Sequence, residues 1–256
     1  MLRFRCNEPL AMTVPHPRTR KPASAAPRRA AAKKAVAPKP YHHGALPEAL
    51  LAAAEAVLVR DGLAGLGLRA IAREAGVSHT APKHHFGDTT GLLSELAAVG
   101  FWRLRDAMLA AMAPLDPSDA NGRRDAIGHA YVHFAHRNPA LFGLMFRNEI
   151  IDWRRPALAE AAGAAIRVMA LTISGKAAPP AISPLALSGT EVVRITAAWA
   201  HVHGLATLLI DQRLQGILKT TRAFDNSLAL VDAVLRDTKP GLGPATPEAT
   251  AVRRKK

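Results

Sequence analysis

A short segment that follows Gly76 is rich in side chains that donate hydrogen bonds. These side chains are Ser78, His79, Thr80, Lys83, His84 and His85. Hydroxyl, imidazole and ammonium groups can bind the phosphate oxygens of nucleic acid, and some can reach the edges of bases. Because the segment spans little more than two helical turns, these groups could enter one major groove together. We assign Thr80 and His84 to base edges, and Lys83 and His85 to phosphates.

Two short helices joined by a turn are needed to present these donors. Apolar residues at helical spacing predict a first, buried helix over 68–75, and Gly76 permits the positive φ that a sharp turn often requires. We expect Ser78 to cap a second helix that ends at Phe86 in the core, with Pro82 in its first turn. This helix–turn–helix pattern is typical of DNA binding. An ordinary helix pair within an enzyme is the alternative.

A second group of chemically active side chains is a histidine stripe. His129, His133 and His136 fall within roughly 60° of one another on a helix predicted over 120–137. Imidazoles four residues apart can bind zinc or nickel. No cysteine or carboxylate completes a cluster on that face, so a polar stripe facing solvent or another helix is the favoured interpretation. We therefore expect no metal and no cofactor.

The rest of the chain also follows helical spacing, and no segment alternates with the period of a strand. The sequence therefore predicts an all-α fold. The predicted helices begin near Pro47 and cover about 47–61, 68–75, 78–86, 89–112, 120–137, 139–147, 156–174, 188–212 and 224–237. Asp88 or Thr89 is expected to cap the fourth helix, Asn138 the sixth, and Ser188 with Glu191 forms a capping box for the eighth.

Charge is concentrated at the two ends of the chain. Residues 1–40 hold ten lysines and arginines against one glutamate, and residues 253–256 are all basic, whereas 41–251 carry 20 basic and 19 acidic groups. The proline- and alanine-rich composition predicts a disordered tail over 1–40 and another over 239–256. Such tails suit a polyanion, and contact with phosphates would steepen the salt dependence of DNA binding. A dispensable extension, with Met12 as the start, is the alternative for the first tail.

Several classes of protein are disfavoured. The single cysteine, Cys6, excludes a disulfide framework and cysteine-bound zinc. The first ten residues have no run long enough for a secretory signal, and Arg194, His201 and His203 interrupt the longest apolar stretch, so we expect a cytoplasmic protein without a membrane span. We find no phosphate-binding glycine loop, no paired-carboxylate motif and no GxSxG elbow, so the chain is not expected to be an enzyme.

The chain resembles the tetracycline-repressor (TetR) family. The matching segments are YHHGALPEALLAAAEAVLVRDG at 41–62, LRAIAREAGVS at 68–78 and APKHHFGDTTGLL at 81–93. Farther along, YVHFAHRNPALFGLMF at 131–146 and AWAHVHGLATLLI at 198–210 resemble the family's C-terminal domain with a Trp/His/Gly signature, here Trp199, His203 and Gly204. The chain departs from the family where Lys83 replaces a usual Tyr and where Thr89 and Thr90 replace a phosphate-binding Lys.

The resemblance implies a three-helix DNA-binding domain over 41–93 and a regulatory and dimerisation domain over 94–238. It implies a homodimer formed through the eighth helix and the last helix, and we expect Ala206 on the dimer face. Two recognition helices would then bind a palindromic operator in double-stranded DNA. Ser78, His79 and Thr89 are further candidates for DNA binding, although the phosphate contact that the family makes near Thr89 is expected to be weaker or absent here. His42 and His43 either approach the DNA backbone or are solvated.

The implied function is a transcriptional regulator, with a repressor as the favoured form, released from DNA by a small molecule. We expect a largely apolar effector, because the candidate pocket residues include no charged cluster. They are Phe101, Met108, Tyr131, Phe134, Phe142, Met145, Trp199 and His203. For any one of these residues a plain core role is the alternative, and His203 in particular could be a hydrogen-bonded core histidine. A DNA-coating protein that uses its basic tails and senses no ligand is the alternative function.

Overall fold

A computed structural model of the protein describes residues 46–176 and 185–238. Within these residues the chain forms α-helices, one 3₁₀ turn over Leu63–Gly65 and no strand, which confirms the predicted all-α fold. The helices are α1 (Leu46–Asp61), α2 (Leu68–Glu74), α3 (Ala81–Phe86), α4 (Thr89–Met112), α5 (Ala120–Arg137), α6 (Pro139–Met145), α7 (Pro156–Ser174), α8 (Gly189–Ile210), α9 (Gln215–Leu218) and α10 (Ser227–Asp237).

Some sequence-based predictions fall outside the described residues. They concern the two basic tails, over 1–40 and 239–256, and the pair His42 and His43. Residues 177–184, in the segment between the predicted seventh and eighth helices, also fall there.

Helices α2 and α3 form the predicted helix–turn–helix, and α1 packs against α2. Gly76 has a φ of +67°, as the turn requires, and Pro82 lies in the first turn of α3. The predicted cap of α3 is wrong, because Thr80 and not Ser78 occupies the N-cap position and its side chain makes no capping hydrogen bond. The Ser78 hydroxyl instead lies 3.1 Å from the hydroxyl of Thr80. The turn is therefore two residues longer than predicted, and α3 begins at Ala81.

The long helix α4 begins directly after α3. The Asp88 carboxylate accepts a 2.7 Å hydrogen bond from the amide of Gly91, so of the two predicted caps, Asp88 and Thr89, it is Asp88 that caps the helix. A Cβ added at Gly91 would lie 2.1 Å from the carbonyl oxygen of Phe86, the last residue of α3. Only a residue without a side chain fits there, so Gly91 lets the end of α3 pack against the first turn of α4.

A buried serine fastens the same end of α4 to the loop before α7. Ser94 is fully buried, donates a 2.7 Å hydrogen bond to the carbonyl of Thr90, and accepts a 2.8 Å hydrogen bond from the amide of Asp152. Both polar functions of the hydroxyl are thereby satisfied without water. Nearby, the Arg155 guanidinium lies 3.4 Å from the carboxylate of Glu95. The start of α4 is therefore held from two sides, by α3 and by the segment that leads into α7.

The core is built around α4, which packs along α5 and α7, while α8 covers α5 and α7 and α10 packs on α5 and α8. The capping box of α8 is confirmed: Ser188 Oγ accepts from the Glu191 amide, and the Glu191 carboxylate accepts from the Ser188 amide. Asn138 precedes α6 as predicted, but its side chain donates to the carbonyl of Phe134 and does not cap that helix. The short helix α9 and the 3₁₀ turn were not predicted.

Two of the described helices, α7 and α8, are long and apolar enough to cross a membrane by length and composition, with mean hydropathies of 1.4 and 1.2. This property alone does not indicate a membrane protein, because core helices share it. Here α7 lies against α4, with Leu158, Ala161 and Ala170 almost completely buried.

The close approach at Gly91 can be tested by one methyl group. We expect Gly91→Ala to lower the free energy of unfolding by about 1–3 kcal/mol, because the added Cβ meets backbone that cannot yield without moving α3. Gly143→Ala in α6 is the matched control, since an added Cβ there has no neighbour within 4 Å. That change should be neutral or stabilising by up to about 1 kcal/mol. Equal stability of the two variants in urea unfolding would contradict the packing described.

Candidate DNA-binding surface and effector cavity

The donor-rich face of α3 is exposed. Pro82 and Phe86 are buried and seat the helix, as predicted for Phe86. The side chains predicted to bind DNA point away from this core, and all but the half-buried Thr89 are exposed: Ser78, His79, Thr80, Lys83, His84 and His85. A helix with one buried face and one exposed, donor-rich face can enter a major groove without breaking the contacts that its buried face makes with the core.

The electrostatics of this surface suit a polyanion. Residues 75–87 contain no acidic side chain, and Lys83 carries a full positive charge at their centre. The rings of His84 and His85 stand edge to face, with centroids 5.3 Å apart, so both imidazoles lie in the same patch. Arg60 of α1, by contrast, is engaged by Asp61 and Glu74, at 2.9 and 2.8 Å. The exposed cations near the turn are Arg69 and Arg73 of α2 and Lys83 of α3.

A cavity of about 330 Å³ opens beside α4, farther along this helix than the turn that contacts α3. Its lining is mainly aromatic and aliphatic, with a few polar groups, and comprises Phe101, Leu104, Met108, Tyr131, Phe146, Asn148, Trp153, Ala162, Ala165, Ile166, Met169, Trp199 and His203. Trp153 and Trp199 each keep more than a third of their surface exposed. Cavities of this size and composition are typical of sites for small molecules.

The structure brings together five of the eight predicted pocket residues: Phe101, Met108, Tyr131, Trp199 and His203. The prediction is wrong for Phe134, Phe142 and Met145, which are at most 3% exposed and do not line the cavity. Phe142 instead stands behind the lining, with its ring 5.6 Å from Tyr131 and 5.5 Å from His203. The apolar type of a residue does not tell whether its side chain lines the cavity or packs behind the residues that line it.

Sequence reasoning missed the contribution of α7 and of the loop before it. Ala162, Ala165 and Met169 lie on one side of α7 and line the cavity, and small alanines there leave the space open. Trp153 donates a 2.8 Å hydrogen bond to the side chain of Asn148, so both are held at the cavity by a local contact. The alanine-rich stripe of α7 was the available signal, although the same stripe also predicts tight packing.

Three polar side chains in the cavity wall, Tyr131, His203 and Trp199, are joined by hydrogen bonds. The Tyr131 hydroxyl lies 2.9 Å from Nδ1 of His203 and accepts a 3.3 Å hydrogen bond from the indole Nε1 of Trp199. Burial raises the pKa of Tyr131 well above its ordinary range, and burial lowers the pKa of His203. Near neutral pH both groups are therefore uncharged, and each can serve as a hydrogen-bond anchor for a neutral ligand.

A smaller cavity, of about 70 Å³, shares Met108, Tyr131 and Met169 with the larger one. It extends toward α10, where Leu235 and Thr238 line it. Arg124 also lines it, and the Nε atom of that guanidinium is buried with no hydrogen-bond partner among the described residues. The two cavities therefore lie side by side along α5.

The histidine stripe of α5 divides into two parts. His136 is exposed, whereas His129 and His133 are about a third exposed and face α10. There the Asp232 carboxylate oxygen Oδ1 lies 3.1 Å from His129 Nδ1 and 2.9 Å from His133 Nε2. The expectation that no carboxylate lies on that face is wrong, because Asp232 comes from a helix about 100 residues away.

Comparisons with known proteins agree with this geometry. Residues 50–96 match the profile described as bacterial regulatory proteins, tetR family, and residues 125–231 match the tetracyclin repressor-like, C-terminal domain. The chain belongs to the TetR family. The members of this family are transcriptional regulators that bind DNA, so this chain is a DNA-binding transcriptional regulator and not an enzyme. The DNA-coating alternative is not favoured.

Solved structures extend the comparison of the TetR fold. A protein of unknown function from Rhodococcus sp. RHA1 is 35% identical, with a TM-score of 0.58 over 78% of this chain and 98% of that chain. A TetR family transcription regulator from Marinobacter aquaeolei VT8 is 17% identical, with a TM-score of 0.52 over 76% of this chain and 95% of that chain. A search of curated proteins finds no match.

The α3 surface generates a prediction about DNA binding by this TetR regulator. Lys83→Ala should weaken binding to specific and scrambled duplexes alike, because a phosphate contact carries no sequence information. Thr80→Ala should instead reduce discrimination at one base pair, by about 1–3 kcal/mol. Lys219→Ala, at an exposed lysine after α9, is the control and should change neither property. Gel shifts measure both quantities, and unchanged binding in both α3 variants would show that another surface reads DNA.

Proposed function

We propose that this TetR regulator is a homodimeric, cytoplasmic repressor that leaves a palindromic operator when a small, largely apolar molecule enters the 330 Å³ cavity. Residues 41–93 would bind DNA, and residues 94–238 would bind the effector and the second subunit. The observation that carries the proposal is the position of the cavity. Phe101, Leu104 and Met108 of its wall belong to α4, the helix whose first turn supports the recognition helix α3.

The physical requirement for release is a difference in affinity. An effector weakens DNA binding only if it binds better to a conformation in which the recognition helices miss their grooves. A ligand that pressed α4 away from α7 would move the end of α4 that contacts Phe86 and Arg155. The aromatic lining favours an apolar body, and the hydroxyl of Tyr131 and the imidazole of His203 favour one or two polar groups on it.

The dimer is proposed to form through α8 and α10. A stripe on α8 supports this, since Val193, Ala197, Ala200, Gly204 and Leu208 recur at spacings of three and four, and all but the half-buried Gly204 are exposed. Small residues in the middle of such a stripe allow two helices to approach closely. The expectation that Ala206 lies on the dimer face is wrong, because Ala206 is completely buried within its own chain.

A charge on the stripe tests the dimer. Gly204→Arg should convert the protein to a monomer and abolish operator binding, because the arginine would be buried unpaired between subunits. The protomer itself has room for the change, since an added Cβ at Gly204 has no neighbour within 4 Å. Gly163→Arg, at an exposed position of α7, is the matched control, with equally free space. Analytical ultracentrifugation decides: a monomeric wild type, or a dimeric Gly204→Arg variant, would contradict the proposed interface.

Filling the cavity tests the effector site. Operator fragments would be recovered by genomic pull-down, and compounds would be screened by thermal shift and by release of that operator. Ala165→Phe should weaken effector binding at least tenfold, because the ring occupies the ligand volume. Ala159→Leu, exposed on the same helix, should behave as the wild type. Binding confined to anionic, highly polar compounds would contradict an apolar effector, and equal effector affinity in Ala165→Phe would place its site elsewhere.

A further inference from the structure

We propose that His129, His133 and Asp232 form a binding site for a divalent transition-metal ion, with zinc as its representative. This site departs from the expectation of no metal and is independent of the proposed effector. The three ligand atoms, Nδ1, Nε2 and a carboxylate oxygen, all lie within 4.8 Å of one another. Two imidazoles and one carboxylate are a donor set that zinc binds in proteins, with the fourth position taken by water.

The distances already approach those of a metal centre. Ligand atoms held about 2.0–2.2 Å from a tetrahedral or octahedral ion are about 2.9–3.5 Å from each other. The Asp232 oxygen lies 3.1 Å from His129 Nδ1 and 2.9 Å from His133 Nε2. Because both imidazoles keep about a third of their surface exposed, each has room for the small rotation that would bring their nitrogens closer.

The backbone that carries these ligands is fixed by apolar packing. His129 and His133 are four residues apart, so they lie on one face of α5. Asp232 follows Val231, which is completely buried, and precedes Leu235, which is 8% exposed. A Cβ added at Gly128 would lie 3.9 Å from Leu235, which shows how closely α5 and α10 approach beside the site. The donors are therefore placed by the core and need no ion to bring their helices together.

The exposure and the chemistry of the three ligands together indicate which kind of ion would bind. About 22–33% of each side chain is open to solvent, so a hydrated ion can enter and keep a water molecule as a further ligand. Imidazole nitrogens favour zinc, nickel, copper or iron over calcium and magnesium, which prefer oxygen. A bound ion would join α10, on the proposed dimer face, to α5, which lines both cavities.

The experiment uses the full chain and zinc chloride alone. Calorimetry should show one zinc ion per chain at this site, and zinc should raise the melting temperature. His133→Gln and Asp232→Asn should each weaken zinc binding at least tenfold. His136→Gln, at the exposed histidine on the same helix, is the matched control and should bind as the wild type. A His42→Gln/His43→Gln variant tests for binding by the histidines near the start of the chain, and it too should retain the site.

A further variant separates a ligand from a hydrogen-bonding residue. His133→Cys removes the imidazole contact with Asp232 but keeps a zinc ligand, so it should bind zinc far better than His133→Gln does. Cobalt(II) gives a second readout, since its visible absorption should appear in the wild type and be lost in Asp232→Asn. The proposal is overturned if the wild type binds no zinc, or if the Gln and Asn variants bind it as tightly as the wild type does. The cluster would then be a hydrogen-bonded clamp between α5 and α10.

Discussion

The contact between the end of α3 and the first turn of α4 is the constraint on which the DNA-binding surface depends. The carbonyl of Phe86 approaches Gly91 so closely that no side chain fits, and the Asp88 carboxylate holds the amide of Gly91 from the same turn. A glycine inside a helix costs about 0.5–1 kcal/mol relative to alanine. Its presence here is explained by the close approach, which leaves α3 little freedom to move independently of α4.

Because α4 contains 24 residues, it extends about 36 Å from this contact into the regulatory part of the chain. Phe101, Leu104 and Met108 lie along it and line the cavity. The boundary predicted between 93 and 94 therefore falls inside a continuous helix rather than in a linker. A displacement of α4 by a ligand would reach α3 through rigid helix and a contact with no free space, which is the physical reason that a distant cavity could control DNA binding.

The sequence predicted the helices well because their signals are local. The Ser188–Glu191 capping box, the Asp88 cap and the glycine at 76 each depend on residues within four positions. The exposure of the donor-rich side chains on and before α3 was predictable for the same reason, since one short segment supplies them. The cavity was only partly predictable: Trp153 and Ala165 come from distant segments, and Phe142 is a supporting residue rather than a wall. The dimer face was misjudged at Ala206, because helical periodicity does not say which apolar face meets its own chain.

Helix α5 shows why such long-range information matters. One of its faces presents Tyr131 to the cavities, and another presents His129 and His133 to Asp232 on α10. Both faces of α5 can be predicted from the sequence of that helix. The contact of His129 and His133 with the Asp232 carboxylate cannot, because Asp232 lies on α10. A ligand at Tyr131 and an ion at Asp232 would both contact this one helix, so each would favour the position of α5 that suits it. Any difference between those positions makes the two binding events dependent on each other, and by linkage the effect would be equal in both directions.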